Sequence, residues 1–328
     1  MLTFGLLLAA LMLLCGIGYL IVGHDYKDPV VPVPQTADPA RNPYIAPTGQ
    51  TMLAAHRLGG GIAPENTLLA FKTCVEVQKL PVDLFEFDVH LTKDGELVLL
   101  HDDTFDRTSN AEEAFGKKGV APRDKTYGEL MALNLGEHFK DAGGHTPYRG
   151  LRGDEIPADL HVARVEDVFA YFRDRKHYRF VIEIKDGKDA GRRAADRLYA
   201  AMERYDMLPR VVVGTFHGEI SAYMTKAHPD MLRSAGIREV AGLYFSSLLR
   251  LKRAGKRYPF AALQIPTDDY VFQLGTSRLV NYAHAHNVAV QYWTINDPAE
   301  VERLQAIGAD AVMSDHPEMA GRVLRRNG

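Results

Sequence analysis

In the stretch Leu84-Phe85-Glu86-Phe87-Asp88-Val89-His90-Leu91, apolar and polar side chains alternate without a break from Phe85 to the end. Successive side chains of a β-strand point to opposite faces, so Glu86, Asp88 and His90 share one face and Phe85, Phe87, Val89 and Leu91 the other. The apolar set is expected to face covering helices, which leaves two carboxylates pointing into the interior of a closed sheet. The run Phe180-Val181-Ile182-Glu183-Ile184-Lys185 repeats the design, with Glu183 and Lys185 on one face and Ile182 and Ile184 on the other. Short apolar runs of this kind alternate with longer amphipathic ones along the chain, as βα units around a parallel sheet do.

Strands are predicted at Met52 to His56, Leu84 to Leu91, Phe180 to Ile184, Val211 to Gly214, Leu232 to Ala235, Ala261 to Ile265, Ala289 to Trp293 and Ala311 to Ser314. Helices are predicted at Glu65 to Gln78, Glu166 to Arg173, Ala190 to Tyr205, Glu219 to Lys226, Arg238 to Arg253, Ser277 to His286, Ala299 to Ile307 and Glu318 to Arg325. Eight alternating pairs in roughly 270 residues predict an α/β fold, a TIM (β/α)₈ barrel over 51–328. The stretch from Asp102 to Val165 is too long for a βα loop and is expected to be a subdomain inserted after the second strand, over the barrel mouth.

Ahead of the barrel, Leu2 to Gly23 carries no charged residue and matches the roughly 20 residues needed to cross hydrocarbon. One transmembrane helix is predicted over 1–23, giving a single-pass membrane anchor whose orientation the few flanking charges leave open. A cleaved signal peptide fits less well, because the run has no basic start and His24, Asp25 and Tyr26 follow it where small residues belong. Residues 24–50 hold six prolines between Asp28 and Gly49 without helical or strand period, and read as an extended tether. The 328 residues carry a net charge of -3, so no basic footprint for a nucleic acid is present. Two cysteines, Cys15 in the apolar run and Cys74 in a predicted helix, argue against a disulfide or a thiolate metal site.

Active sites of such barrels form at the carboxyl ends of the strands. Glu86, Asp88 and Glu183 converge there, and three carboxylates in a desolvated mouth must protonate or be compensated by a cation. Oxygen-only ligands suit Mg²⁺ or Ca²⁺. An internal ion-pair lattice with Arg57 and Lys185 is the alternative for the same spacing. His56 closes the first strand and His101 follows the second, flanking the carboxylates as a candidate general acid and base. Arg57 and Lys185 supply positive charge for phosphoryl oxygens. Trp293, the only tryptophan, ends the seventh strand and is expected to line the pocket. His90, His217 and His316 are expected to play no direct part.

The segments AHRLGGGIAPENTLLAF and FEFDVHLTKDGELVLLHDDTFDRT, followed by VIEIK at Val181 to Lys185, VQYWTIND at Val290 to Asp297 and GADAVMSDHP at Gly308 to Pro317, closely resemble the glycerophosphodiester phosphodiesterases. The resemblance covers essentially everything after the tether. It implies a TIM barrel with an insertion after strand two, and hydrolysis of a glycerol phosphodiester to sn-glycerol 3-phosphate and an alcohol. It places the acid/base roles on His56 and His101, and the ligands of a divalent metal on Glu86, Asp88 and Glu183. Arg57 and Lys185 match the phosphate-binding positions, and Glu65 and Asn66 the PENT element that buttresses the mouth. Two departures are visible: Leu58 and three glycines, Gly59 to Gly61, follow Arg57 where relatives often have glycine at once, and Arg164-Val165-Glu166-Asp167 stands where a threonine-leucine pair is common.

Two rival readings accompany this one. A lysophospholipase D would take lysophospholipids from the membrane that the anchor holds nearby. A non-catalytic, membrane-tethered phosphate-ligand binding protein would keep the barrel without turnover, although the retained histidines, carboxylates and cations speak against it.

Overall fold

The computed structural model describes residues 12–18, 37–251, 257–269 and 272–326. Strands β1 (Met52–Ala55), β2 (Leu84–Leu91), β3 (Leu97–Leu99), β4 (Arg179–Ile184), β5 (Val211–Gly214), β6 (Ala262–Ile265), β7 (Asp268–Asp269), β8 (Phe272–Gln273), β9 (Ala289–Tyr292) and β10 (Ala311–Ser314) follow in chain order. Seven of them form one parallel sheet in the order β5-β4-β2-β1-β10-β9-β6. The two edges of that sheet are joined by single parallel bridges, Val213 to Arg233 and Ser234 to Ala262. The expected strand at Leu232 to Ala235 is therefore the eighth stave, cut down to two bridging residues, and the sheet curls into a barrel.

The period-two reading of β2 holds in three dimensions. Phe85, Phe87 and Phe180 face outward into an aromatic layer with Phe71, Phe169 and Phe172, all fully buried. Each such ring removed from water stabilises the fold by about 1.5–3 kcal/mol. In the parallel β2–β4 pair, Glu86 stands opposite Val181 and Asp88 opposite Glu183, so two carboxylates are neighbours on the inner face. Helices cover the outside, among them Lys188–Arg204, Gly218–Ala227, Ile237–Leu248, Ser277–His284, Pro298–Ala306 and Pro317–Arg326.

Three features differ from expectation. The first predicted helix starts only at Leu68, where Thr67 caps it, and its second half, Thr73–Val77, widens into a π-turn. The helix expected to run to Arg253 ends at Leu248, with Leu249 closing it. The folded body also begins earlier than Thr51. Tyr44, Ile45 and Ala46 are buried against Met52, Leu84, Val181 and Ala311 at the floor of the barrel, opposite the mouth. Tyr44 Oη donates to the Phe180 carbonyl at 2.9 Å, and Asn42 Nδ2 to the carbonyls of Ala261 and Asn287. Proline-rich composition hides this plug, because its contacts are made by backbone turns and a few side chains rather than by a periodic face.

Residues 100–164 form short turns and helices around their own core of Leu100, Phe105, Val120, Leu130 and Val162. β3 pairs antiparallel with the carboxyl end of β2 and ties this segment to the mouth. Thr126 and Glu129 form a reciprocal capping box at the helix Tyr127–Leu130. Of the predicted membrane span, residues 12–18 are helical and the remainder lies outside the described residues, as do residues 24–36 of the tether. Among the described residues no helix is long and apolar enough to cross a membrane.

Candidate active site

His56, Arg57, Glu86, Asp88, His101, Glu183, Lys185 and Trp293 line a single cavity of about 610 Å³ at the carboxyl ends of the strands. All eight residues expected at acid/base, phosphate, metal and pocket positions are thus brought together. Glu65 and Asn66 lie just behind: Glu65 Oε1 accepts from Arg57 Nη1 at 3.0 Å, and Asn66 Nδ2 donates to Asp88 Oδ2 at 3.0 Å. His90, His217 and His316 stand outside this cavity's lining. His90 bonds Asp186, and His217 Nε2 holds the Lys185 carbonyl at 3.0 Å.

The chain reaches His56 through a tight turn. Arg57 and Leu58 have positive φ, 48° and 65°, and Gly59 follows at 102°. Left-handed non-glycine residues store backbone strain, and here they aim the Arg57 amide at Glu86 Oε2, 2.7 Å away. The glycine run is needed for approach. A Cβ on Gly61 would stand 2.5 Å from the Asp315 carbonyl oxygen, so only glycine lets this loop lie against Asp315.

Asp315 is a functional neighbour that sequence reasoning missed. Its Oδ1 lies 2.7 Å from His56 Nδ1, and Asn296 Nδ2 donates to its Oδ2 at 2.7 Å. Nδ1–H therefore donates to the carboxylate, and Nε2 points toward Glu86 Oε2 at 3.8 Å. Burial works against the imidazolium, but Glu86 and Asp315 outweigh it and raise the His56 pKa. His101 is held in the same manner, with Nδ1 2.8 Å from Asp102 Oδ1. Arg107, on the inserted segment, donates to both Asp102 oxygens and both Glu65 oxygens at 2.6–3.0 Å. Despite partial burial, Arg107 and His101 hold the Asp102 carboxyl down to about 2. The clue available in the sequence was position: Asp102, Arg107, Asn296 and Asp315 all sit within the quoted segments that resemble the phosphodiesterases.

The carboxylates are overcrowded. Burial and the neighbouring Asp88 push Glu86 up to about 8, and the same two causes raise Glu183. Lys185 Nζ stands 3.0 Å from Glu183 Oε1 and 3.6 Å from Asp88 Oδ1, and these two carboxylates raise its pKa in spite of burial. The lattice reading is thus right for Lys185. For Glu86 it is not, because the partner is the Arg57 backbone amide and not its guanidinium. Among the described residues no ready-made cluster of three or more His, Cys, Asp or Glu ligands is present. The donor set nevertheless suits a hard divalent ion: three inward carboxylates, two of them, Asp88 and Glu183, directly opposite one another in the β2–β4 ladder.

Besides these charged residues, the same cavity is lined by Phe216, Ile237, Tyr244, Phe245, Phe272 and Leu274. Phe216 meets Trp293 edge-on, with ring centroids 6.1 Å apart.

A chain similar to this one over 85% of its length and 100% of its own, 30% identical, is the glycerophosphodiester phosphodiesterase of Caldanaerobacter subterraneus subsp. tengcongensis. A lysophospholipase D of Mus musculus is 24% identical over 83% of this chain and 81% of its own. Among solved structures, an Oleispira antarctica phosphodiesterase in complex with the product sn-glycerol 3-phosphate superposes with a TM-score of 0.64 at 19% identity, covering 84% of this chain and 97% of its own, a likeness of fold. The model of the glycerophosphoryl diester phosphodiesterase family matches residues 56–319, from the first site histidine to beyond Asp315, and the chain belongs to that family of hydrolases.

Proposed function

We propose that this enzyme hydrolyses glycerophosphodiesters to sn-glycerol 3-phosphate and an alcohol, with His56 and His101 as the acid/base pair. The observation that carries this reading is the matched support of the two imidazoles. Each has Nδ1 fixed by a carboxylate, Asp315 or Asp102, which leaves each Nε2 as the working atom. One histidine takes the proton of the attacking hydroxyl as its oxygen bonds phosphorus; the other gives a proton to the alcohol oxygen as its bond to phosphorus breaks. Water as nucleophile releases glycerol 3-phosphate directly, and a neighbouring glycerol hydroxyl passes through a cyclic phosphate. Trapping that cyclic ester distinguishes the two.

Arg57 and Lys185 bind the phosphoryl oxygens, and Trp293 packs against the glycerol or alcohol. Glu86, Asp88 and Glu183 are the residues that would hold Mg²⁺ or Ca²⁺. Such an ion supplies charge neutralisation at the phosphoryl group. Glu65 and Asn66 keep Arg57 and Asp88 in place. The N-terminal apolar run anchors the enzyme to a membrane.

A lysophospholipase D activity is the second reading, favoured by the apolar wall of the cavity, which offers an acyl chain a dry surface beside the phosphate site. The test is a panel of water-soluble glycerophosphocholine and lysophosphatidylcholine with Mg²⁺, Ca²⁺ or a chelator. Release of glycerol 3-phosphate from the first supports the main reading, and turnover of the second alone replaces it. His56→Ala and His101→Ala should each lower turnover about 100-fold or more, and near-normal activity in either would refute its assignment.

A further inference from the structure

Outside the N-terminal helical residues, the exposed large apolar side chains of the described residues are Val77, Phe216, Ile237, Phe245, Leu249 and Leu251. Five of the six fall at the lip of the catalytic cavity or on the segment that leads from it. Ile237 (63% exposed), Phe245 (46%) and Leu249 (62%) follow at positions spaced by four or eight along the helix Ile237–Leu248 and its cap, so they form one stripe. Ile237 and Phe245 also line the cavity, as does Phe216 (54%). Exposed apolar side chains grouped along one stripe beside a cavity, rather than scattered singly, mark a contact surface.

Charge says what the contact is. From Val240 to Thr267 the sequence holds Arg250, Lys252, Arg253, Lys256 and Arg257 and no Asp or Glu, in a chain whose net charge is -3. Arg238, Arg250 and Arg257 are exposed, whereas Lys252, Arg253 and Lys256 lie outside the described residues. The nearest acid, Glu239, is engaged by Arg233 at 2.7 Å. A helix with exposed Ile237, Phe245 and Leu249 beside exposed Arg238, Arg250 and Arg257 has the pattern of one lying in the headgroup region of an anionic bilayer.

We propose that the helix Ile237–Leu248, with Leu249, Arg250 and Arg257, docks on an anionic lipid bilayer, so that the apolar lip of the active site opens onto the membrane surface. This goes beyond the reading of the catalytic site and is independent of the N-terminal anchor. Docking shortens the path of a lipid-derived phosphodiester from the bilayer to His56 and His101, and makes activity on such substrates depend on the charge of the membrane.

The full-length protein carrying Cys15→Ser, which leaves only the buried Cys74, is labelled with an environment-sensitive fluorophore through Leu249→Cys or, as control, Val77→Cys. It is mixed with phosphatidylcholine vesicles with and without phosphatidylserine, each containing a quencher-bearing lipid. Quenching at position 249 and not at 77, only with phosphatidylserine and weakened by salt, is expected. Arg250→Glu with Arg257→Glu should lower that anionic-lipid response on the order of 100-fold while glycerophosphocholine hydrolysis is retained. Equal quenching at both positions, or no dependence on phosphatidylserine, overturns the proposal. Concentration-dependent burial of the 249 probe without lipid would instead assign the stripe to a second copy of the chain.

Discussion

Asp88 and Glu183 stand opposite one another in the β2–β4 ladder, and Lys185 Nζ reaches both of them. One ammonium thus serves two carboxylates, while Glu86 beside them has, among the described residues, only a backbone donor at hydrogen-bond distance.

A divalent ion should relieve this crowding. Mg²⁺ or Ca²⁺ is expected to raise the thermal midpoint, with half-saturation shifting to higher metal in Asp88→Asn and Glu183→Gln. Chelation should abolish turnover, and readdition restore it. Full activity in the presence of chelator would remove Glu86, Asp88 and Glu183 from the metal role.

Glu86 gives a pH-dependent signature of its own. Its folded pKa, about 8, lies above that of an unfolded glutamate, so its contribution to stability is fully present below the ordinary carboxylate range and is lost as pH rises through about 8. Glu86→Gln should therefore inactivate the enzyme and yet, in metal-free buffer at alkaline pH, melt higher than the parent by about 2 °C or more. A lower melting point at that pH would show that the carboxylate is compensated by contacts other than those described.

The barrel and the inward carboxylates were legible because both rest on period-two alternation, which Phe85, Phe87, Ile182 and Ile184 display openly. What stayed hidden has no period. Asp315 reaches His56 across 259 positions of chain through a turn that Gly61 permits, and Arg107 reaches Glu65 from the inserted segment. The plug around Tyr44 was read as tether because six prolines between Asp28 and Gly49 mask the few side chains that anchor it. The stave at Arg233 and Ser234 was expected at Leu232 to Ala235, between two predicted helices, and two single bridges realise it.

Tyr44 tests the plug. It is fully buried beneath the barrel, and its hydroxyl donates to the Phe180 carbonyl. Tyr44→Ala should destabilise by about 3–5 kcal/mol in denaturant titration. Tyr44→Phe should cost about 1 kcal/mol. Because the floor is remote from the mouth, KM for glycerophosphocholine should hold in both; a large change in KM would mean that the floor and the site are coupled.

Arg107 is expected to act through others. It braces Asp102, the partner of His101, and Glu65, the partner of Arg57. Arg107→Ala should lower kcat about 10-fold to 100-fold. Lysine has no planar fork with which to hold two carboxylates, so Arg107→Lys should recover little. Unchanged kinetics in the alanine variant would confine Arg107 to a surface role.

Asp315→Asn separates orientation from charge at His56. The amide oxygen can still accept the Nδ1 proton, so the ring keeps its place, but the negative charge that supports the imidazolium is gone. Since Asp315 contributes to raising the His56 pKa, its loss should move the limb of the pH–rate profile that belongs to His56 to lower pH. The turnover maximum should fall by roughly 100-fold to 10,000-fold, because the buried imidazolium is no longer stabilised as it forms. Asp315→Ala should lose the orientation as well and fall further. If both variants kept the parental pH limb, His56 would not be the titrating group, and the acid/base pair would have to be sought without it.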